Sequence, residues 1–197
     1  MHRMTTVVFA LLFLSPAASA QTATKGNISF GYSHVRGNLT SYRPLSPTIS
    51  SSNLNGWFTS AEYKPIPWLG GVLDFGGNYG TERVTPFCEV IIVCQGPLAA
   101  NANVHTFLFG PRASVSFGKV TPFAQALFGG AHTSASSPGF SNADISVATA
   151  LGGGVAFRLA KTIAWRMQGD YLQTHFFGSS QNHFRFSAGL VVRFRRP

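Results

Sequence analysis

Residues 183–194 read His-Phe-Arg-Phe-Ser-Ala-Gly-Leu-Val-Val-Arg-Phe. Side chains of a β-strand point alternately to its two faces. Phe184, Phe186, Ala188, Leu190, Val192 and Phe194 therefore share one face, and His183, Arg185, Ser187, Gly189 and Arg193 the other. Only Val191 breaks the pattern. A strand crossing a bilayer needs about 9–11 residues, and this segment alternates over that whole length with arginines and a serine behind an unbroken apolar face. Such a division fits a strand that stands between lipid and a polar lumen.

The beginning of the chain sets the compartment. His2 and Arg3 precede an apolar core over 7–14, and Ala18-Ser19-Ala20 forms a small-residue cleavage site before Gln21. This is the pattern of a secretory signal peptide, too short in its core to cross a membrane as a helix. Residues 1–20 are read as the signal and 21–197 as a single domain. No later segment holds the roughly 18 uninterrupted apolar residues of a transmembrane helix, yet charged residues are only 11% and mean hydropathy is +0.14. Alternating strands conceal hydrophobicity in this way. Eighteen phenylalanines and twenty-one glycines, with little helical Glu/Lys patterning, also point to an all-β chain. The formal charge is +9, and removal of Arg3 with the signal leaves +8. For an exported β-rich chain this excess points to lipid phosphates or acidic saccharides rather than nucleic acid.

Eight alternating segments bounded by turn residues follow, over 26–35, 53–64, 68–81, 103–117, 121–134, 145–159, 162–175 and 182–194. Their connections alternate in length. Long ones, rich in Ser, Asn, Pro and Gly, cover 36–52, 82–102, 135–144 and 176–181, whereas Pro65-Ile66-Pro67, Gly118-Lys119-Val120 and Ala160-Lys161 are tight turns. The rhythm predicts an eight-stranded antiparallel transmembrane β-barrel with short periplasmic turns, longer extracellular loops and both termini on the periplasmic side. A secreted β-sandwich or lipocalin-like cup could also use eight strands. Trp57, Tyr63, Trp68, Tyr79, Phe117, Phe123, Trp165, Tyr171 and Phe194 near strand ends favour two interfacial aromatic girdles instead.

With the apolar face toward lipid, the lumen receives three acids, Glu62, Asp74 and Asp170, and five arginines, Arg112, Arg158, Arg166, Arg185 and Arg193. An eight-stranded interior is just wide enough for side chains to fill, so these charges are expected to pair and plug the barrel. Segment 121–134 has no clean parity: Phe123, Gln125 and Leu127 oppose Ala124, Ala126 and Phe128.

Several motifs have a bland and a functional reading. Cys88 and Cys94 lie in the longest connection of an exported chain, so a disulfide is the economical expectation; zinc or redox chemistry lacks further ligands and Cys-x-x-Cys spacing. His34, His105, His132, His175 and His183 fall where strands meet long connections, which would gather them at one rim as interfacial residues or as a metal- or pH-responsive set. His132 with Ser134 or Ser136 and Asp144 can be written as a hydrolase constellation, but their spacing does not separate them from loop composition. Gly152-Gly153-Gly154 lacks the strand-to-helix context of a phosphate loop. Asn27-Ile28-Ser29 and Asn38-Leu39-Thr40 match glycosylation sequons, a short motif that recurs by chance. No cofactor or metal is expected.

Taken with the signal, the eight strands and the turn rhythm, the closing motif Ser187-x-Gly189-x-x-Val192-x-Phe194 resembles the C-terminal assembly signal of the small outer-membrane β-barrel family, of the kind seen in the transmembrane domain of outer-membrane protein A. Val192 occupies a usually aromatic place, and Arg195-Arg196-Pro197 follows the terminal Phe. The stretches 70–80, 109–112 and 165–171 also look like strands of that family. The resemblance implies an outer-membrane location in a Gram-negative-type envelope, contact with outer-membrane lipid and lipopolysaccharide, delivery by the barrel-insertion machinery, and a monomer. It implies no peptidoglycan-binding domain of the kind larger relatives carry. Three functions follow as expectations: a non-enzymatic barrel with a structural or surface-interaction role, a narrow anion-favouring pore through Arg112, Arg166 and Arg185, or a lipid A-modifying hydrolase.

Overall fold

The computed structural model describes residues 25–37, 52–84, 98–137, 140–175 and 180–194. Eight strands, β1 (Gly26–Gly37), β2 (Ser52–Ile66), β3 (Leu69–Val84), β4 (Leu98–Ser114), β5 (Val120–Ser137), β6 (Phe140–Arg158), β7 (Ile163–Thr174) and β8 (Gln181–Phe194), pair in chain order. Every pairing is antiparallel, and β8 returns to β1 to close the barrel. Closure removes sheet edges within the wall, which a strand facing hydrocarbon requires.

The termini of the barrel, at Gly26 and Phe194, stand at the same end as the tight turns. At the β4–β5 turn Phe117 and Val120 exchange backbone hydrogen bonds of 2.7 and 3.0 Å across Gly118-Lys119, and Gly118 takes a φ of +60°, the left-handed region open to glycine. Arg158 to Ile163 turns as tightly, with Ala160 N–H donating to the Ile163 carbonyl.

At the other end the chain departs from the predicted rhythm. Residues 135–144 were expected to be a long loop, but β5 and β6 stay paired as far as Ser137 and Phe140, leaving only 138–139 between them. Likewise β4 begins at Leu98 instead of 103. Ser and Asn favour turns, but that local preference yields where the neighbouring strand continues to pair. The longest strands, β4 to β6, carry 17–19 residues, well beyond the roughly 9–11 that span hydrocarbon.

Burial follows the period of two. Phe30, Phe75, Phe107, Phe128, Leu151 and Leu190 face outward, while Ser29, Asp74, Thr106, Gln125 and Ser187 are buried. For β5 the structure decides the parity: Phe123, Gln125 and Leu127 point inward and Ala124, Ala126 and Phe128 outward. Phe123 is thus a lumen residue and not a girdle member; the other aromatic residues assigned to girdles are exposed on the outer surface. Val191, the exception in the closing strand, is buried on the lumen side, where its parity puts it.

The lumen as candidate functional site

Strand register determines which inward side chains meet. Adjacent Cα partners Arg112 and Gln125, Gln125 and Gly152, Gly152 and Asp170, and Asp170 and Arg185 run as one row from β4 to β8. Arg112 Nε donates to Gln125 Oε1 at 2.9 Å, and Gln125 Nε2 donates to Asp170 Oδ1 at 2.7 Å. Arg185 then clasps two acids, donating from Nη1 to Asp74 Oδ1 at 2.7 Å and from Nη2 and Nε to Asp170 Oδ2 at 2.9 and 3.1 Å. Gln168 Nε2 adds a further donor to Asp170 at 3.1 Å.

Toward the turn end a second acid organises the lumen. Glu62 Oε2 accepts from Asn27 Nδ2 at 2.7 Å and from Arg112 Nη1 at 3.2 Å, and lies 3.7 Å from Arg166. Lys64 reaches its other oxygen at 3.5 Å. Arg166 donates to Ser29 Oγ, Ser60 Oγ and Asn27 Oδ1 at 2.8, 3.3 and 3.2 Å. Both guanidiniums lie over the Phe123 ring, that of Arg112 at 4.6 Å and that of Arg166 at 5.2 Å from its centroid, a cation–π platform for two like charges. Because Arg112 touches both Glu62 and Gln125, the two clusters form one network across the barrel's waist.

Of the eight charges predicted for the lumen, six share this network: Glu62, Asp74, Arg112, Arg166, Asp170 and Arg185. Arg158 and Arg193 are half-buried at the turn end. Gln125, Phe123, Asn27 and Lys64 are members that the sequence does not assign to the lumen charges. A signal for Gln125 was present: it is the only polar side chain among Pro122–Phe128, which argues that its face is the lumen face.

Beside the network and on toward the loop end, the lumen mixes apolar with neutral polar side chains. Val72, Leu108, Leu127 and Leu172 cluster with three alanines. Asn78, Thr106, Thr174 and His183 border a cavity beside them with room for about one water molecule.

The remaining candidates separate. All five histidines do sit in the loop half, but on different surfaces. His183 is inside, 3.3 Å from Thr174, whereas His105 and His132 are cross-strand neighbours on the outer surface. His34 contacts Asn55 and His175 contacts Ser180. Alternation on neighbouring strands divides them, and among the described residues no three His, Cys, Asp or Glu side chains gather as a metal site. The written hydrolase set divides likewise, since His132 faces out while Asp144 pairs with the buried Thr133 on the inward register. Asn27, a sequon asparagine, is buried against Glu62. Cys88, Cys94 and Asn38 lie outside the described residues. In the closing motif Ser187 faces the lumen, Gly189 packs against β1, and Phe194 ends the outer face.

The model of the outer membrane protein beta-barrel domain family matches residues 5–194. No curated protein sequence matches significantly. Among solved structures, Neisserial surface protein A superposes with a TM-score of 0.63 at 13% identity, covering 88% of this chain and all of that one. The attachment invasion locus protein Ail of Yersinia pestis gives 0.54 at 18% identity, over 84% of this chain and 97% of its own. OprG of Pseudomonas aeruginosa gives 0.54 at 12% identity, over 89% and 98%. At such identities the structures establish a shared barrel, and the family match extends over nearly the whole sequence: the chain belongs to the outer membrane protein beta-barrel domain family.

Proposed function

We propose that this chain is a non-enzymatic, non-conducting barrel of the outer membrane, a monomer that reinforces the envelope and offers its loop end to partners such as lipopolysaccharide. The observation that carries the reading is the continuous network from Glu62 through Arg112, Gln125 and Asp170 to Arg185 and Asp74. It fills the waist with paired charges. Three carboxylates in that network meet three guanidiniums and the Lys64 ammonium, so an ion entering it would displace bonds each charge needs in a low-dielectric interior. Delivery by the barrel-insertion machinery through Ser187, Gly189, Val192 and Phe194 is part of the same reading.

Single-channel recording tests it. The folded chain in planar bilayers is expected to remain silent. Reproducible anion-favouring steps that vanish on Arg166→Ala would replace this reading with the narrow pore.

A further inference from the structure

The charge of this protein is unevenly placed. At the waist Arg112, Arg166 and Arg185 are matched in number by Glu62, Asp74 and Asp170. Along the loop side of the sequence Arg36, Arg43 and Arg83 are matched by Glu82, Glu89 and Asp144. Among the described residues the remaining cations, Lys25, Lys64, Lys119, Arg158, Lys161 and Arg193, stand at the turn end, with Lys64 turned inward to Glu62 at 3.5 Å. Glu62, turned inward to the network, is the only acid among the described residues of that half.

The cations are set around the rim by the wall itself. Lys64 N–H donates to the Lys25 carbonyl at 2.8 Å, joining a pair at the β1–β2 seam. Arg158 N–H donates to the Lys119 carbonyl at 2.7 Å, joining a second at β5–β6. Arg193 N–H donates to the carbonyl of Thr162, next to Lys161, at 2.8 Å, joining a third at β7–β8. Lys25, Lys119 and Lys161 are exposed. Between them the outer surface carries Tyr63, Trp68, Phe117, Trp165 and Phe194, all exposed. Amphipathic aromatic rings settle at the level of lipid headgroups, so the lysines beside them stand at phosphate depth. Lysine stems can lie along apolar surface while the ammonium reaches the interface.

We propose that this ring is a docking surface for anionic phospholipid headgroups in the leaflet at the turn end, with the exposed lysines as its primary contacts. The ring is complementary to a phosphodiester surface, and a few lysines close to an anionic bilayer attract it cooperatively. An enrichment of anionic over zwitterionic lipid around this end follows.

The two turn-end tryptophans provide the readout. In a Trp57→Phe chain folded into mixed phosphatidylcholine and phosphatidylglycerol vesicles, Trp68 and Trp165 are the remaining tryptophans. Bromine-labelled phosphatidylglycerol is expected to quench them as though enriched severalfold over labelled phosphatidylcholine at equal mole fraction. Lys25→Gln/Lys119→Gln/Lys161→Gln should bring the two lipids to within about twofold of parity, as should about 1 M salt, where screening falls to about 3 Å. Arg36→Gln, at the loop end, should leave the enrichment intact. Equal quenching in the chain with its lysines, or enrichment that survives the triple substitution, overturns the proposal. Loss of enrichment on adding inorganic phosphate at matched ionic strength would also overturn it, assigning the ring to a free anion. Should Trp57→Phe impair folding, native mass spectrometry of the unaltered chain released from the same vesicles gives the same contrast by counting retained phosphatidylglycerol.

Discussion

At the scale of single residues, Arg185 shows how a buried charge is made tolerable. Its side chain is almost wholly shielded from solvent, as are those of Asp74 and Asp170. Five donors in a fixed fork allow one guanidinium to serve two carboxylates on different strands, which an ammonium could not do with the same geometry. Arg185→Ala leaves both acids buried without their cation, and a loss of about 3–5 kcal/mol is expected in urea titrations of the vesicle-embedded barrel. Replacing the trio together, Arg185→Met with Asp74→Asn and Asp170→Asn, should restore most of that loss, since the penalty comes from the orphaned charges and not from the absence of the pair. A triple variant as unstable as Arg185→Ala would show that the pairing itself is what stabilises the waist. Alternation in the sequence identified these residues as inward-facing; that Arg185 reaches both Asp74 and Asp170 depends on register and was not legible there.

At the scale of the strand, β5 is instructive. Its turn-proximal half offers Phe, Gln and Leu on one face and Ala, Ala and Phe on the other, so hydrophobicity alone does not choose. The neighbours choose: Gln125 is opposite Arg112 and Gly152, where an amide can join guanidinium to carboxylate, and Phe123 offers its ring to two guanidiniums. Phe128 consequently faces lipid, its ring 4.0 Å from that of Phe109. Phe128→Arg is expected to cost about 2–4 kcal/mol in the same titration if this depth is near the midplane, whereas Phe128→Leu should be nearly silent. A silent Phe128→Arg would place that face away from hydrocarbon.

At the scale of the whole molecule, closure is the decisive event, and it occurs at the β1–β8 seam. Gly31 and Gly189 are partners there, and a Cβ added to Gly189 would come within 2.2 Å of the Phe30 carbonyl oxygen. Backbone, not a movable side chain, occupies that space. Gly189→Val should therefore hinder closure and diminish the heat-modifiable gel band that a closed barrel gives, while Gly71→Ala, whose added Cβ meets nothing within 4 Å, should not. Equal band intensities in the two variants would mean that the seam can relax around a side chain.

What the amino-acid sequence determined by itself is the set of local choices: eight segments with period-two alternation, three tight turns, and an outer face apolar enough for lipid. Those follow from strand geometry and turn chemistry acting over a few residues at a time. Strand ends at the loop side, the orientation of Phe123 and the separation of the histidines onto two surfaces came only with the tertiary structure. Each depends on what the adjacent strand presents, and in a closed antiparallel barrel that is settled by registers between segments distant in sequence, as when β1 meets β8.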